Sequence, residues 1–187
     1  SQTMKSNTVV QIYQDIDEIS NSAKKLFIEI AQDAIQQRGR FLAALSGGNT
    51  PIKLYEKLAQ ENLDWPHMHF FWGDERCVPV DDAGNSYGQA KKVLFDVVHL
   101  PDENIHRILS DLEPASAAKE YANTLKVFSE PPLDWPRFDL VLLGMGDDGH
   151  TASLFPNSPV NVDSPTLAVV ANYQGRPANR VTLTQNV

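Results

Sequence analysis

Apolar positions along this chain alternate between two periods, short continuous runs and stretches at helical spacing. Val9 to Tyr13 is a short β-prone segment. Ile16, Ile19, Ala23, Leu26, Phe27, Ile30 and Ala34 then recur at the three-or-four spacing that lines one face of a helix. Asp15 and Asp17 open that helix and Arg38-Gly39 close it, as the macrodipole and the usual glycine stop require. Phe41 to Leu45 reads as a buried strand, Pro51 to Gln60 as a helix and Met68 to Trp72 as a strand. Ser86 to Val98 reads as a helix, with Ser86 and Gln89 at capping-box spacing. Pro114 to Phe128 is a further helix with Ala118, Tyr121, Leu125 and Phe128 on one face. Asp139 to Leu143, Leu167 to Ala171 and Val181 to Thr184 complete the strands. Such alternation predicts an α/β fold with a largely parallel sheet covered on both sides.

In open parallel sheets, ligands bind beyond the carboxyl ends of the strands. Three loops leave these strands with unusual polar content. The first is Ser46-Gly47-Gly48-Asn49-Thr50-Pro51, in which Thr50 suits an N-cap and Pro51 a first helical position. Backbone N–H groups of a glycine turn at a helix N-terminus attract anions. Lys53 opposes the helix dipole unless an anion sits there. The second loop is Gly73-Asp74-Glu75-Arg76-Cys77-Val78-Pro79, where Asp74 suits sugar hydroxyls and Arg76 suits bidentate phosphate. The third runs from Gly144 to Pro156 and carries Gly144, Gly146, Asp147, Asp148 and His150. A carboxylate two residues from a histidine at a strand end orients an imidazole for proton transfer.

Composition narrows the classes. The chain has 187 residues, enough for one domain with a sizeable core, and its net charge of −8 argues against a nucleic-acid partner. The single cysteine, Cys77, excludes an intrachain disulfide and reads as an inert side chain rather than a nucleophile. No run of 18 or more apolar residues predicts a membrane span. The expected location is cytoplasmic and the expected state monomeric. His67 and His69, two apart on a strand, share a face, but no third metal ligand accompanies them. His99 and His106 read as surface or structural. No Gly-x-Ser-x-Gly elbow is present.

The segments Leu45 to Pro51, Trp72 to Pro79, Asn85 to Gly88 and Leu143 to Pro156, in this order, resemble the 6-phosphogluconolactonase family. The resemblance runs from about Val9 to Thr184. It implies a three-layer α/β/α sandwich with a mainly parallel, Rossmann-like sheet and no metal or organic cofactor. It also implies hydrolysis of 6-phospho-D-glucono-1,5-lactone to 6-phospho-D-gluconate in the oxidative pentose phosphate pathway. Glucosamine-6-phosphate deaminases are similar through Asp148-Gly149-His150, but continue with a carboxylate-proline pair where this chain has Phe155-Pro156. A non-catalytic sugar-phosphate sensor is the remaining alternative.

Under this reading His150 is the general base, with Asp148 or its neighbour Asp147 orienting the imidazole and Asp74 completing the catalytic group. Ser46, Gly47, Gly48, Asn49, Thr50, Gly144, Gly146 and Asp147 bind the sugar phosphate, and Arg76 and Arg180 anchor its phosphate. Residues 1–187 are expected to form one sugar-phosphate hydrolase domain that lacks its C-terminal strand and helices.

Overall fold

The computed structural model describes residues 8–11, 16–143, 166–169, 172–173, 176–177 and 179–183. Strand β1 (Thr8–Gln11) is followed by helix α1 (Ile16–Arg38), strand β2 (Phe41–Leu45), helix α2 (Asn49–Leu58), strand β3 (Met68–Trp72) and strand β4 (Asp74–Arg76). Helices α3 (Ser86–Ala90) and α4 (Pro114–Val127) precede strands β5 (Leu140–Leu143) and β6 (Thr166–Val169). Strands β7 (Asn172–Tyr173), β8 (Arg176–Pro177) and β9 (Arg180–Leu183) complete the order.

Strands β1, β5, β2 and β3 lie side by side in that order, all parallel. Phe41–Leu45 is buried throughout, as a strand with helices on both faces must be. Phe27 of α1 meets Phe41 edge-on at 5.2 Å and lies against Phe70 of β3, while the next residue, Phe71, points the other way onto Phe128 and Phe138. Helices α1 and α2 pack along each other on the first face. Helix α4 serves the second, with Ala118, Tyr121 and Leu125 buried as the periodicity predicts. Leu26, also on the apolar pattern of α1, remains 36% exposed, whereas Ser20 is buried.

Helix α1 ends at Gly39, whose φ of 78° is the left-handed cap expected there. Its last residue, Arg38, ion-pairs with Asp139 at 2.5 Å. Asp139 also accepts the Leu42 N–H on its carboxylate and donates its own N–H to the Leu42 carbonyl, both at 2.9 Å. This ties the amino ends of β2 and β5. The outer edge of β3 is covered by the segment around Ile105, where the His106 N–H donates to the Phe70 carbonyl.

One expectation changes. The predicted Ser86 to Val98 helix is α-helical only through Ala90. It continues as a wider turn over Lys91–Phe95, in which the Asp96 N–H reaches the Lys91 carbonyl, and adjacent Leu94 and Phe95 are both buried. The expected mainly parallel sheet is present, and beside it β4, β9 and β6 form a separate antiparallel sheet. A three-residue strand as polar as Asp74–Arg76 carries no periodicity by which to recognise it.

His69 of β3 lies within 3.1 Å of His106, and both rings pack against Phe128. Burial pushes His106 down to about 4 and lowers His69, the latter aided by Arg40. Histidines held neutral in the fold stabilise it above their ordinary range and cease to as pH falls. His106→Phe is therefore expected to flatten the decline in stability between pH 6.5 and pH 4, measured by urea denaturation.

Candidate active site

The central strands stop where two buried tyrosines take over their hydrogen bonding. Tyr55 of α2 donates its hydroxyl to the Ser46 carbonyl at 2.5 Å and accepts the Ser46 N–H at 3.1 Å. Tyr121 of α4 does the same for Trp72, at 2.7 and 2.9 Å. Burial raises both hydroxyls well above the ordinary phenol range, so each remains a donor. The Gly73 N–H still reaches the Leu45 carbonyl at 2.8 Å, and beyond it the chains diverge into the first two polar segments.

The glycine segment differs from its expected capping. Helix α2 begins at Asn49, with Gly48 rather than Thr50 at the cap, and no side chain caps it. Gly48 has φ 111° and ψ 170°, a backbone that essentially only glycine adopts. Pro51 falls within the first turn, where its missing N–H costs nothing. The helix's own bonding starts with the Ile52 N–H on the Gly48 carbonyl, so the N–H groups of Asn49 and Thr50 face outward from the helix end. Gly47 is pressed against α3, since a Cβ there would lie 2.3 Å from Ser86 Oγ. Ser46 Oγ is buried with no hydrogen-bond partner among the described residues. Lys53 lies 3.8 Å from Glu56, with both side chains nearly half exposed.

The second segment is strand β4, paired with β9 so that Asp74 faces Thr182 and Arg76 faces Arg180. Directly opposed residues in an antiparallel pair share a face, so both arginines leave the ladder on the same side. Arg180 is buried and ion-pairs with Asp74 at 3.6 Å, whereas Arg76 is exposed and abuts Gly84. Two like charges face to face are unfavourable unless a carboxylate or a bound anion offsets them. Asp74 offsets one.

Glu75 points to the opposite face, and its role was not read from the sequence. Its buried carboxylate accepts the N–H groups of Ser86 and Tyr87 at 2.8 and 2.9 Å, and that of Arg76 at 3.1 Å. Desolvation pushes Glu75 up to about 7; the three N–H donors act against this, and nearby Asp74 adds to it. The expected Ser86–Gln89 capping box does not form. Asn85 is the N-cap, with its side chain accepting the Gly88 N–H at 2.7 Å, and Gln89 turns away to the glycine segment. Ser86 is thus fixed by Glu75 on one side and wedges Gly47 on the other.

His67 and His69 do not share a face. His67 lies in a single turn, Trp65–His67, against Asp64 at 2.8 Å, while His69 meets His106. Among the described residues no cluster of three or more His, Cys, Asp or Glu is arranged to hold a metal ion. Cys77 is half-buried, and burial together with Glu75 raises its thiol, which disfavours a nucleophilic role. Among the described residues no helix is long and apolar enough to cross a membrane.

Ser46, Gly47, Gly48, Asn49, Thr50, Asp74, Arg76 and Arg180 therefore gather around the carboxyl ends of β2 and β3. Gly144, Gly146, Asp147, Asp148 and His150 lie outside the described residues. The strand that leads to them does not. Counting forward from the Ala44–Val141 pair, Leu143 is level with Ser46, so the chain leaves β5 beside the glycine segment.

Residues 14–187 match the family described as glucosamine-6-phosphate isomerases/6-phosphogluconolactonase. The chain belongs to this family. It is 45% identical to a 6-phosphogluconolactonase of Synechocystis sp. over 81% of this chain and 63% of that protein. It is 41% identical to one of Nostoc sp. over 94% of this chain and 73% of that protein. The chain thus spans roughly two thirds of these relatives' lengths. The crystal structure of the Thermotoga maritima 6-phosphogluconolactonase superposes with a TM-score of 0.81 at 29% identity, covering 95% of this chain and 78% of that one. The Trypanosoma cruzi enzyme gives 0.79 at 28% identity, covering 96% and 75%. These likenesses accord with the mixed fold and mainly parallel sheet described above.

Tyr55→Phe leaves both backbone groups of Ser46 buried without their partner. It is expected to cost about 1–3 kcal/mol in chemical denaturation. Glu75 binds its proton more tightly in the fold than its ordinary 4.5, so its contribution to stability declines as pH rises from 4.5 through about 7. At about 1.4 kcal/mol per unit the full decline amounts to at most about 3.5 kcal/mol. Glu75→Gln is expected to remove this slope, read from unfolding free energies at pH 5 and pH 8.

Proposed function

We propose that the protein hydrolyses 6-phospho-D-glucono-1,5-lactone to 6-phospho-D-gluconate, a step of the oxidative pentose phosphate pathway. The observation that carries this reading is the pairing of two arginines across β4 and β9 together with the uncapped N-terminus of α2. Arg76 faces Arg180 across the ladder, and the Asn49 and Thr50 N–H groups point away from α2. Both features suit a phosphorylated substrate. The family and the names of its relatives supply the lactone.

Ester hydrolysis needs a deprotonated water, stabilisation of the carbonyl oxygen and a proton for the departing ring oxygen. In the proposed mechanism His150 takes a proton from water as the water oxygen bonds to the lactone carbonyl carbon. The carbon–ring-oxygen bond then breaks, and the ring oxygen receives the proton from the imidazolium. Asp148 or Asp147 orients the ring. Positioned acid–base catalysis of this kind contributes roughly 10²–10⁴-fold. The Gly47 N–H or the N–H groups of the Gly144–Gly146 segment stabilise the oxyanion, the Gly48 N–H being taken by Gln89. Asp74, buried and paired with Arg180, keeps that guanidinium in place and accepts sugar hydroxyls. Arg76 and Arg180 hold the remote phosphate, so that its binding energy orients the reacting end.

His150→Ala is expected to reduce kcat by roughly 10²-fold or more, measured by product formation from freshly generated lactone with spontaneous hydrolysis subtracted. Arg76→Ala should raise KM with little effect on kcat. Wild-type-like hydrolysis by the His150 variant would remove that residue from the mechanism. Ammonia release from glucosamine 6-phosphate without lactone hydrolysis would instead favour the deaminase branch.

A further inference from the structure

Gln89 links the glycine turn before α2 to the loop that follows β4. Its Nε2 donates to the Ala83 carbonyl at 2.6 Å, and its Oε1 accepts the Gly48 N–H at 3.2 Å. In a capping box the N–H of the cap residue is taken by a Glu or Gln three residues into the same helix. In α2 that position is Pro51, which has no acceptor side chain. Gln89 supplies the missing acceptor from another helix.

The Gly47–Gly48 peptide needs such a tether. Ser46 is fixed by Tyr55, and helical bonding resumes with the Ile52 N–H, but Gly48 has no Cβ to restrict its rotation. The other end of the bridge is equally placed. Gly84, next to Ala83, lies so close to Arg76 that a Cβ there would stand 2.9 Å from Nη1. One amide therefore spans from the glycine turn to the loop that backs the exposed arginine.

We propose that Gln89 is a positioning residue for the substrate's anionic group. By bridging Gly48 and Ala83, it sets the direction of the α2 N-terminal N–H groups and their separation from Arg76. The inference rests on the reading that these elements hold a phosphate.

Gln89→Met keeps the length and helix propensity of the side chain and removes both hydrogen bonds. The expected result is a KM for the lactone raised on the order of tenfold, the scale of one misdirected hydrogen bond to a charged group. Turnover should stay within about twofold and the thermal midpoint should not move. Inorganic phosphate, titrated calorimetrically, should bind more weakly by a similar factor. Unchanged KM and phosphate affinity would overturn the proposal, as would a joint loss of kcat, affinity and thermal stability, which marks a plain scaffold residue. A wild-type protein that binds phosphate without hydrolysing lactone would refute the proposed reaction, and the two phosphate affinities would still decide the role of Gln89.

Discussion

A buried strand can end only where something else satisfies its backbone. In this protein that condition is met by two phenol hydroxyls, Tyr55 on Ser46 and Tyr121 on Trp72, each acting as donor and acceptor at once. They arrive from helices on opposite faces of the sheet and set the level at which β2 and β3 give way to polar chain. Every described component of the candidate site is placed by reference to that level. The glycine turn begins one residue past Ser46, and Asp74 two residues past Trp72.

The polar residues that follow divide by face. Asp74, Arg76, Arg180 and Thr182 share one side of a short antiparallel ladder, and Glu75 takes the other. The split assigns the neighbouring carboxylates different tasks. Asp74 balances the charge of Arg180. Glu75 is taken up by the first N–H groups of α3 on the opposite face; its effect is to hold Ser86 against Gly47. Single-residue alternation along a strand thus separates scaffold from site within three consecutive positions.

Strands β2 and β3 were legible to the residue, because a short apolar run bounded by turn residues has few other solutions. Helices α1 and α4 were legible from periodicity and from their stops. The three-residue strand β4 was not, since its partner β9 lies distant in sequence and pairing across such a gap leaves no local mark. Capping failed for a related reason. Thr50 and Ser86 have the right chemistry for N-caps, but Gly48 and Asn85 take those places once Gln89 and Glu75 arrive from other elements. Among the candidate site residues, the glycines, Asp74 and Arg76 stood out by composition. Gln89 carried no signal beyond a capping spacing that pointed the wrong way.

The order β1-β5-β2-β3 has a bearing on how the polypeptide is made. The last strand of the parallel sheet inserts between the two earliest. A nascent chain that has emerged only as far as α4 therefore presents β2 with one unpaired side, fully apolar and ready to accept any extended segment. About a hundred residues of synthesis separate the appearance of that gap from the arrival of its filler, Leu140–Leu143. Until then the half-built sheet is the form of this protein most in need of chaperone cover.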